Sequence, residues 1–518
     1  MCVDGFEPAL FEAMLEGLGK SPCHMDADSV PANPRKPQMG RDSAWLGGSD
    51  LLAVFLALFG QVLLTRALST ENFGLFIIVF DAFATLFLIV DLGLPTLLAR
   101  DGAKALHRVW PSIFRIYRLQ ALALLPFLLF AAVFTPFVDE AWRENAPLLM
   151  LCAGIALLHI ASYAPRTALR VGGEARLEAL TKLAERSVTV VGYAVLYWMG
   201  SHSVTMFALA FFIGALVGLA ASLWWSKSVL QPLALQGVEG TLGEVWASNS
   251  SLLLHALPFA ITLGVLPYVV RIEKFILGAT LGLDTAALFH VAQLAWLAGL
   301  VIPQAMRAAL LPLLGERRDD PIEFNKQMNR SLDLCFSLLP YGLYGGAAIV
   351  WFALPVAFPL EYTDGSLGGS AVQLFMVLLF GWCCTVLATP TYTALQAGPK
   401  PWHFTGFIAG VVLFAGVFGG WLIGWQSDAS IGNGLLAAAV ASSVTAGFML
   451  CTSIGLAGGP SYLQHRWKDW LFGLSLSLLT CYGLVVGSLV ALVGIGLFAF
   501  TPRGLEAVRS TEPSHALE

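Results

Sequence analysis

The sequence predicts an all-α polytopic membrane protein, with two six-helix lobes followed by one or two C-terminal transmembrane helices. Three observations carry that reading. Over 518 residues the chain is 57% hydrophobic and 12% charged, about half the ~25% charge that solvates a soluble domain. Its mean hydropathy is +0.74. Apolar runs of the ~20 residues needed to cross ~30 Å of hydrocarbon recur along its whole length. Collagen, disordered and disulfide-scaffold compositions are excluded.

Taken in order, spans are expected at 45–68, 73–99, 116–138, 146–165, 180–200, 203–225, 252–272, 286–308, 332–358, 369–395, 404–425 and 432–457. The last apolar stretch, Leu471 to Phe500, reads either as one tilted helix or as two short ones hinged near Gly487, giving 13 or 14 spans. Residues 1–44 form a polar, proline-dotted cytoplasmic extension. Within it, Phe6, Leu10, Phe11, Met14, Leu15 and Leu18 share one helical face, but the acidic Glu7, Glu12 and Glu16 disfavour attraction to anionic lipid. A loosely ordered extension, or a start preceding Met39, is the plainer reading. No cleavable signal peptide is expected, because the first long apolar run begins near Leu51. Segments follow as a first lobe at 45–225, a cytoplasmic linker at 226–249 containing Pro232, Gly237, Gly240 and Gly243, a second lobe at 250–457, and a helix or hairpin and tail at 458–518.

Basic residues set the orientation. Alternate connections on one side hold 23 Lys and Arg, whereas the other side has Arg66, Arg143, Arg271 and Lys274. The positive-inside rule therefore puts the N-terminus in the cytoplasm. Arg503 and Arg509 in the tail favour an even number of spans.

Eight cysteines show neither metal-ligand spacing nor a disulfide framework, and read as small apolar packing residues. His159, His255 and His290 fall on separate helices without ligand spacing, so no metal and no cofactor is expected, and the histidines read as helix contacts. Prolines inside or beside spans, among them Pro95, Pro126, Pro258, Pro267 and Pro390, suit bending helices.

Each lobe opens on a comparable pattern. Helix 1 runs through Arg66 into Glu71, Phe73 and Gly74; helix 7 runs from Gly264 through Arg271 into Glu273, Phe275 and Gly278. Weak internal symmetry of this kind belongs to repeat-built transporters, whose substrate site lies between the repeats. At these residues a family resemblance emerges. The run Arg66-Ala67-Leu68-Ser69-Thr70-Glu71-Asn72-Phe73-Gly74-Leu75-Phe76 resembles the helix 1 to helix 2 connection of Wzx-type polysaccharide repeat-unit flippases, a branch of the multidrug/oligosaccharidyl-lipid/polysaccharide exporter superfamily. Asp91-Leu92-Gly93-Leu94 followed by Arg100, the Arg271-Ile272-Glu273-Lys274-Phe275-Ile276-Leu277-Gly278 run, and Leu395-Gln396-Ala397-Gly398 are similar to the same branch. The lipid II flippase branch is less similar, since Gln293, Leu294 and Leu297 stand where it carries charged residues.

The resemblance spans roughly residues 45–460. It implies export, by alternating access, of a polyprenyl-pyrophosphate-linked oligosaccharide for cell-surface polysaccharide synthesis. Its implied partners are that lipid-linked substrate, the bilayer and polysaccharide-assembly proteins, with no nucleic acid. It implies no bond-making chemistry. A cation-coupled multidrug antiporter is the alternative, since Asp81 loosely matches that branch's acidic site, and a membrane polymerase or glycosyltransferase is a further one that the short outer loops disfavour.

Intramembrane ionisable groups are the candidate site residues. Arg66, Arg271 and Lys274 are expected to meet a pyrophosphate, although both arginines could instead snorkel to headgroups and Lys274 could neutralise Glu273. Gln61 and Gln293 offer amide donors and acceptors to sugar hydroxyls. Asp81 lies eight residues into helix 2, ~12 Å at 1.5 Å per residue, and so must be neutralised, paired or in a wet cavity. Asp81 and Glu273 are therefore the candidate coupling residues, with a structural salt bridge as the other role open to Asp81. Asp91 is expected to pair with Arg100 or Arg108 at the interface.

Overall fold

The computed structural model describes residues 39–134, 143–235, 241–316, 320–398, 400–457 and 467–486. The expected amphipathic stretch near the N-terminus and the part of the last apolar run beyond Val486 lie outside the described residues, as does the choice between 13 and 14 spans. Every regular element among the described residues is helical. Eleven of these helices are long and apolar enough to cross a membrane, and the chain is a multi-pass membrane protein.

The first lobe comprises α1 (Met39–Ala67), α2 (Thr70–Leu86), α3 (Leu94–Asp101), α4 (Leu106–Phe134), α5 (Ala146–Val171), α6 (Ala175–Trp198) and α7 (Val204–Leu235). The second comprises α8 (Asn249–Val265), α9 (Ile272–Thr280), α10 (Leu283–Gly299), α11 (Val301–Glu316), α12 (Pro321–Ala357), α13 (Ala371–Gln396), α14 (Pro401–Ser427) and α15 (Ile431–Leu456); α16 (Trp467–Val485) packs on α13 and α12. Eleven expected spans coincide with the eleven apolar helices. The twelfth, 180–200, is α6, whose Arg176, Glu178, Lys182, Glu185 and Arg186 lower its hydropathy. It runs between α1 and α7, and its buried acids are paired inside the lobe.

The spans expected at 116–138 and 332–358 begin earlier, at Leu106 and Pro321, and three further differences bear on the site. Helix 2 is not continuous: after α2 a 3-10 turn over Phe87–Ile89 leads to Leu92 and Gly93 at φ 55° and 65°, and the chain restarts as α3. Gly93 is required there, because a Cβ would meet Phe259 Cβ at 2.7 Å and the Ala260 nitrogen at 2.8 Å, where α8 crosses. Helix 7 likewise continues past residue 272, through a 3-10 turn at Leu266–Val270 and on into α9. The expected linker begins later, since Ser226 is buried within α7 and donates to the Pro165 carbonyl at 2.8 Å.

The lobes meet chiefly through α2 against α10, with α8 crossing the α2–α3 break. The connections at 68–69 and 281–282 abut at one end of the bundle: the Thr70 hydroxyl donates to Asp284 Oδ1, and Gly74 lies flat on the Leu283 carbonyl with no room for a Cβ. The absence of a Cβ at Gly74 is what lets the two lobes approach so closely.

Candidate functional site

The site is built by the break in span 7. Pro267 opens the 3-10 turn, α-helical hydrogen bonding lapses, and the chain restarts at Ile272 with Arg271 just before it. The Val270 carbonyl exposed by the break accepts from Gln293 Nε2 at 3.0 Å. Arg271 and Lys274 are three residues apart and share a face, whereas Glu273 is rotated away from Lys274 by about 100° of helical turn.

Accordingly, Arg271 and Lys274 reach into the first lobe. Arg271 Nε lies 3.3 Å from Asp81 Oδ1, and its Nη1 donates to the Thr85 hydroxyl at 2.6 Å. Lys274 Nζ forms an ion pair with Asp81 Oδ2 and donates to His290 Nδ1 at 2.9 Å. Asp81, Lys274 and His290 are buried, while Arg271 is about a quarter exposed. One carboxylate therefore serves two cations, leaving a net positive charge between the lobes. Glu273 does not neutralise Lys274. It is fully buried on the other side of α9, beside Ser442 and against Gly419, and both its carboxyl oxygens are unpartnered among the described residues.

Arg271 also faces a cavity of about 290 Å³ in the first lobe, lined by Gln61, Phe80, His159, Tyr163 and Arg186 among others. Behind it Glu185 accepts from His159 Nε2 at 3.0 Å and from Arg166 Nη2 at 2.6 Å, with Arg186 Nη2 at 3.8 Å. The guanidinium of Arg186 lies 5.7 Å from the centre of the Phe211 ring, a cation-π arrangement. Here too one acid faces more than one base. Gly218 makes this arrangement possible, because a Cβ there would lie 2.8 Å from Glu185 Oε2.

The seven candidate residues thus separate. Asp81, Arg271, Lys274 and Gln293 converge between the lobes, and Gln61 lines the adjoining cavity with its Oε1 unpartnered among the described residues. Glu273 turns into the second lobe. Arg66 is elsewhere: exposed at the last turn of α1, it donates from Nε and Nη2 to the carbonyls of Ala357 and Val356 at 3.0 and 2.9 Å, capping the end of α12. The expected equivalence of Arg66 and Arg271 is corrected, because Arg66 ends its span whereas α9 carries the chain nine residues beyond Arg271, to Thr280. Asp91 is also corrected. It is buried at the α2–α3 break and accepts from Gln120 Nε2 at 3.3 Å, while Arg100 pairs with Asp101.

Arg166 and Arg186 entered the sequence reading only among the 23 basic residues counted for orientation. A signal for them was present: Arg166 and Arg170 are four apart, Glu178 and Glu185 seven apart, and antiparallel pairing of α5 with α6 matches Arg166 to Glu185 and Arg170 to Glu178.

A bundle of long apolar helices in two lobes, with a buried ionic cluster between them and a charged cavity beside it, is the plan of a multi-pass membrane protein. The chain belongs to the polysaccharide biosynthesis protein family, whose pattern matches residues 39–317. No curated protein matches it. Among solved structures, the lipid II flippase MurJ in an inward closed conformation superposes with a TM-score of 0.58 at 14% identity, covering 90% of this chain and 98% of that one. An outward-facing multidrug resistance MATE family transporter of the MOP superfamily gives 0.57 at 16% identity, over 82% and 98%. A MOP superfamily transporter from Pyrococcus furiosus gives 0.55 at 15% identity, over 82% and 99%. At these identities the likeness is one of fold.

Proposed function

We propose that the protein moves a polyprenyl-pyrophosphate-linked oligosaccharide across the bacterial cytoplasmic membrane by alternating access, with its N-terminus in the cytoplasm, and makes or breaks no covalent bond. The observation that carries this reading is the excess of base over acid in two clusters, each with an arginine lining the cavity: Arg271 and Lys274 against Asp81, and Arg166 and Arg186 against Glu185. Guanidinium groups suit the planar, bidentate recognition of phosphate oxygens. Family membership in polysaccharide biosynthesis supports the substrate class.

In this proposal Asp81 stands in for the cargo. An entering pyrophosphate competes for Arg271 and Lys274, loosening an ionic link that joins the two lobes. The freed Asp81, in low dielectric, then takes up a proton or a monovalent cation. Gln61 and Gln293 offer amides to the sugar, and Arg66 serves as an outer-end latch on α12. Glu273 is the second coupling group, because an unpaired buried carboxylate is costly unless neutralised. Residues 45–225 and 250–457 are the rocking units, and polysaccharide-assembly proteins handle the cargo before and after.

The test is flipping of fluorescent polyprenyl-pyrophosphate oligosaccharide in proteoliposomes. Wild-type protein should expose the label to an external quencher faster than protein-free vesicles, and Arg271→Ala should not. Export of organic cations with no movement of the glycolipid would sink the reading in favour of a multidrug antiporter.

A further inference from the structure

The least buried of the eleven spans is α4, with 17% of its apolar window covered by the protein. Most of its surface is therefore left to lipid. Near its start, at the basic end of the bundle, a cleft of about 680 Å³ opens between α4 and Asn249 at the head of α8. Two arginines three residues apart share it. Arg115 is held in place across the lobe boundary: Nε donates to Asn249 Oδ1 at 2.8 Å and Nη1 to the Trp246 carbonyl at 2.6 Å. Trp246 in turn donates from Nε1 to Asp101 Oδ2 at 3.2 Å. Burial would raise the pKa of Asp101, but the bonds from Arg100 and Lys104 outweigh it and hold the carboxyl below its usual range. That acid is thus already committed.

Arg118 differs. It is exposed, lines the same cleft, and has neither a hydrogen bond nor an ion pair among the described residues; no acidic side chain lines the cleft. The remaining wall is apolar, with Phe114, Leu119 and Leu122, and Phe114 and Leu122 are exposed. Trp110 meets Phe114 edge-on at 5.2 Å, stiffening that wall.

We infer that this cleft binds one anionic phospholipid, its phosphate on Arg118 and Arg115 and an acyl chain along Phe114 and Leu122. A lone arginine could simply snorkel. A pinned one beside an unpaired one, with an apolar wall running toward the membrane interior, fits a charged headgroup attached to a chain, and basic pockets between spans are sites of that kind. A free phosphate would leave the apolar wall unused. Because Arg115 joins α4 to the segment entering the second lobe, the bound lipid lies on the seam between the rocking units and strengthens it. This inference does not depend on the identity of the cargo.

The test uses the full chain purified in detergent, exposed to equal amounts of phosphatidylglycerol and phosphatidylethanolamine, with bound lipid read by native mass spectrometry. Wild-type protein should retain one phosphatidylglycerol in preference. Arg118→Ala should lower that retention about fivefold, the effect of one basic group near an anionic surface. Lys227→Ala, an exposed base outside the cleft, should leave it unchanged. Equal retention of the two lipids by wild type, undiminished preference in Arg118→Ala, or complete displacement by glycerol phosphate at matched concentration would each overturn the proposal. Should Arg118→Ala fail to fold, the wild-type comparison decides alone.

Discussion

Asp81 of the first lobe and Arg271 of the second lie 3.3 Å apart, so one ionic contact spans the two halves of the bundle. Lys274 closes on the same carboxylate from the next turn of the helix. The link is buried, and its worth lies less in stability than in what breaking it exposes. Removing one partner of a buried pair leaves an uncompensated charge, whereas replacing both with neutral groups is far less costly.

Asp81→Asn should therefore destabilise the protein by ~3 kcal/mol, the low end of what breaking a buried pair costs, since Arg271 keeps some solvent. The double variant Asp81→Asn with Lys274→Gln should recover more than half of that loss. Thermal unfolding in detergent measures both. Additive losses would mean that the two side chains are energetically independent, contrary to the contact.

Arg66 and Arg271 should separate in a transport measurement. Arg66→Ala removes two hydrogen bonds to the end of α12, each worth ~1.5–3 kcal/mol for a charged group and less at an exposed site, so the melting temperature should fall modestly while glycolipid flipping persists. Arg271→Ala should abolish flipping in membranes that contain normal amounts of protein. Identical behaviour of the two variants would return Arg66 to the cargo site.

Much of the helix plan was legible because ~20-residue apolar runs are demanded by the bilayer itself, and eleven spans followed from that alone. What escaped was set by tertiary partners. The span 2 break depends on α8 crossing at Gly93, a contact far away in sequence. The basic residues of α6 served only to set orientation, and the pairing of Glu185 and Glu178 with Arg166 and Arg170 escaped because those partners sit on another helix. At the site, ionisable residues inside spans singled out Asp81, Arg271 and Lys274, and the structure brings these three side chains into contact. Their mutual pairing was not legible, because Glu273 is adjacent to Lys274 in the chain yet is turned about 100° away from it around α9.

Gly93→Ala tests the crossing. The residue adopts a left-handed conformation, which costs a side-chain-bearing residue ~1–2 kcal/mol, and the added methyl also meets the α8 backbone. Lowered expression and a melting temperature reduced by several degrees are expected, whereas Gly420→Ala, which has open space around it, should be near neutral. Equal tolerance of both would contradict the close approach of α8 to the α2–α3 break.

Glu273→Gln isolates coupling from architecture. The amide keeps the shape of the side chain and removes its charge, and with no base paired to the carboxyl among the described residues, no ionic contact is lost. The fold should survive, with a melting temperature close to wild type. If the carboxyl exchanges a proton or a monovalent cation during transport, an imposed ion gradient should accelerate flipping by wild-type proteoliposomes and leave the variant at its gradient-free rate. Acceleration preserved in Glu273→Gln would remove this residue from the proposed coupling path and leave Asp81, the other buried carboxyl proposed for that role, as the remaining candidate.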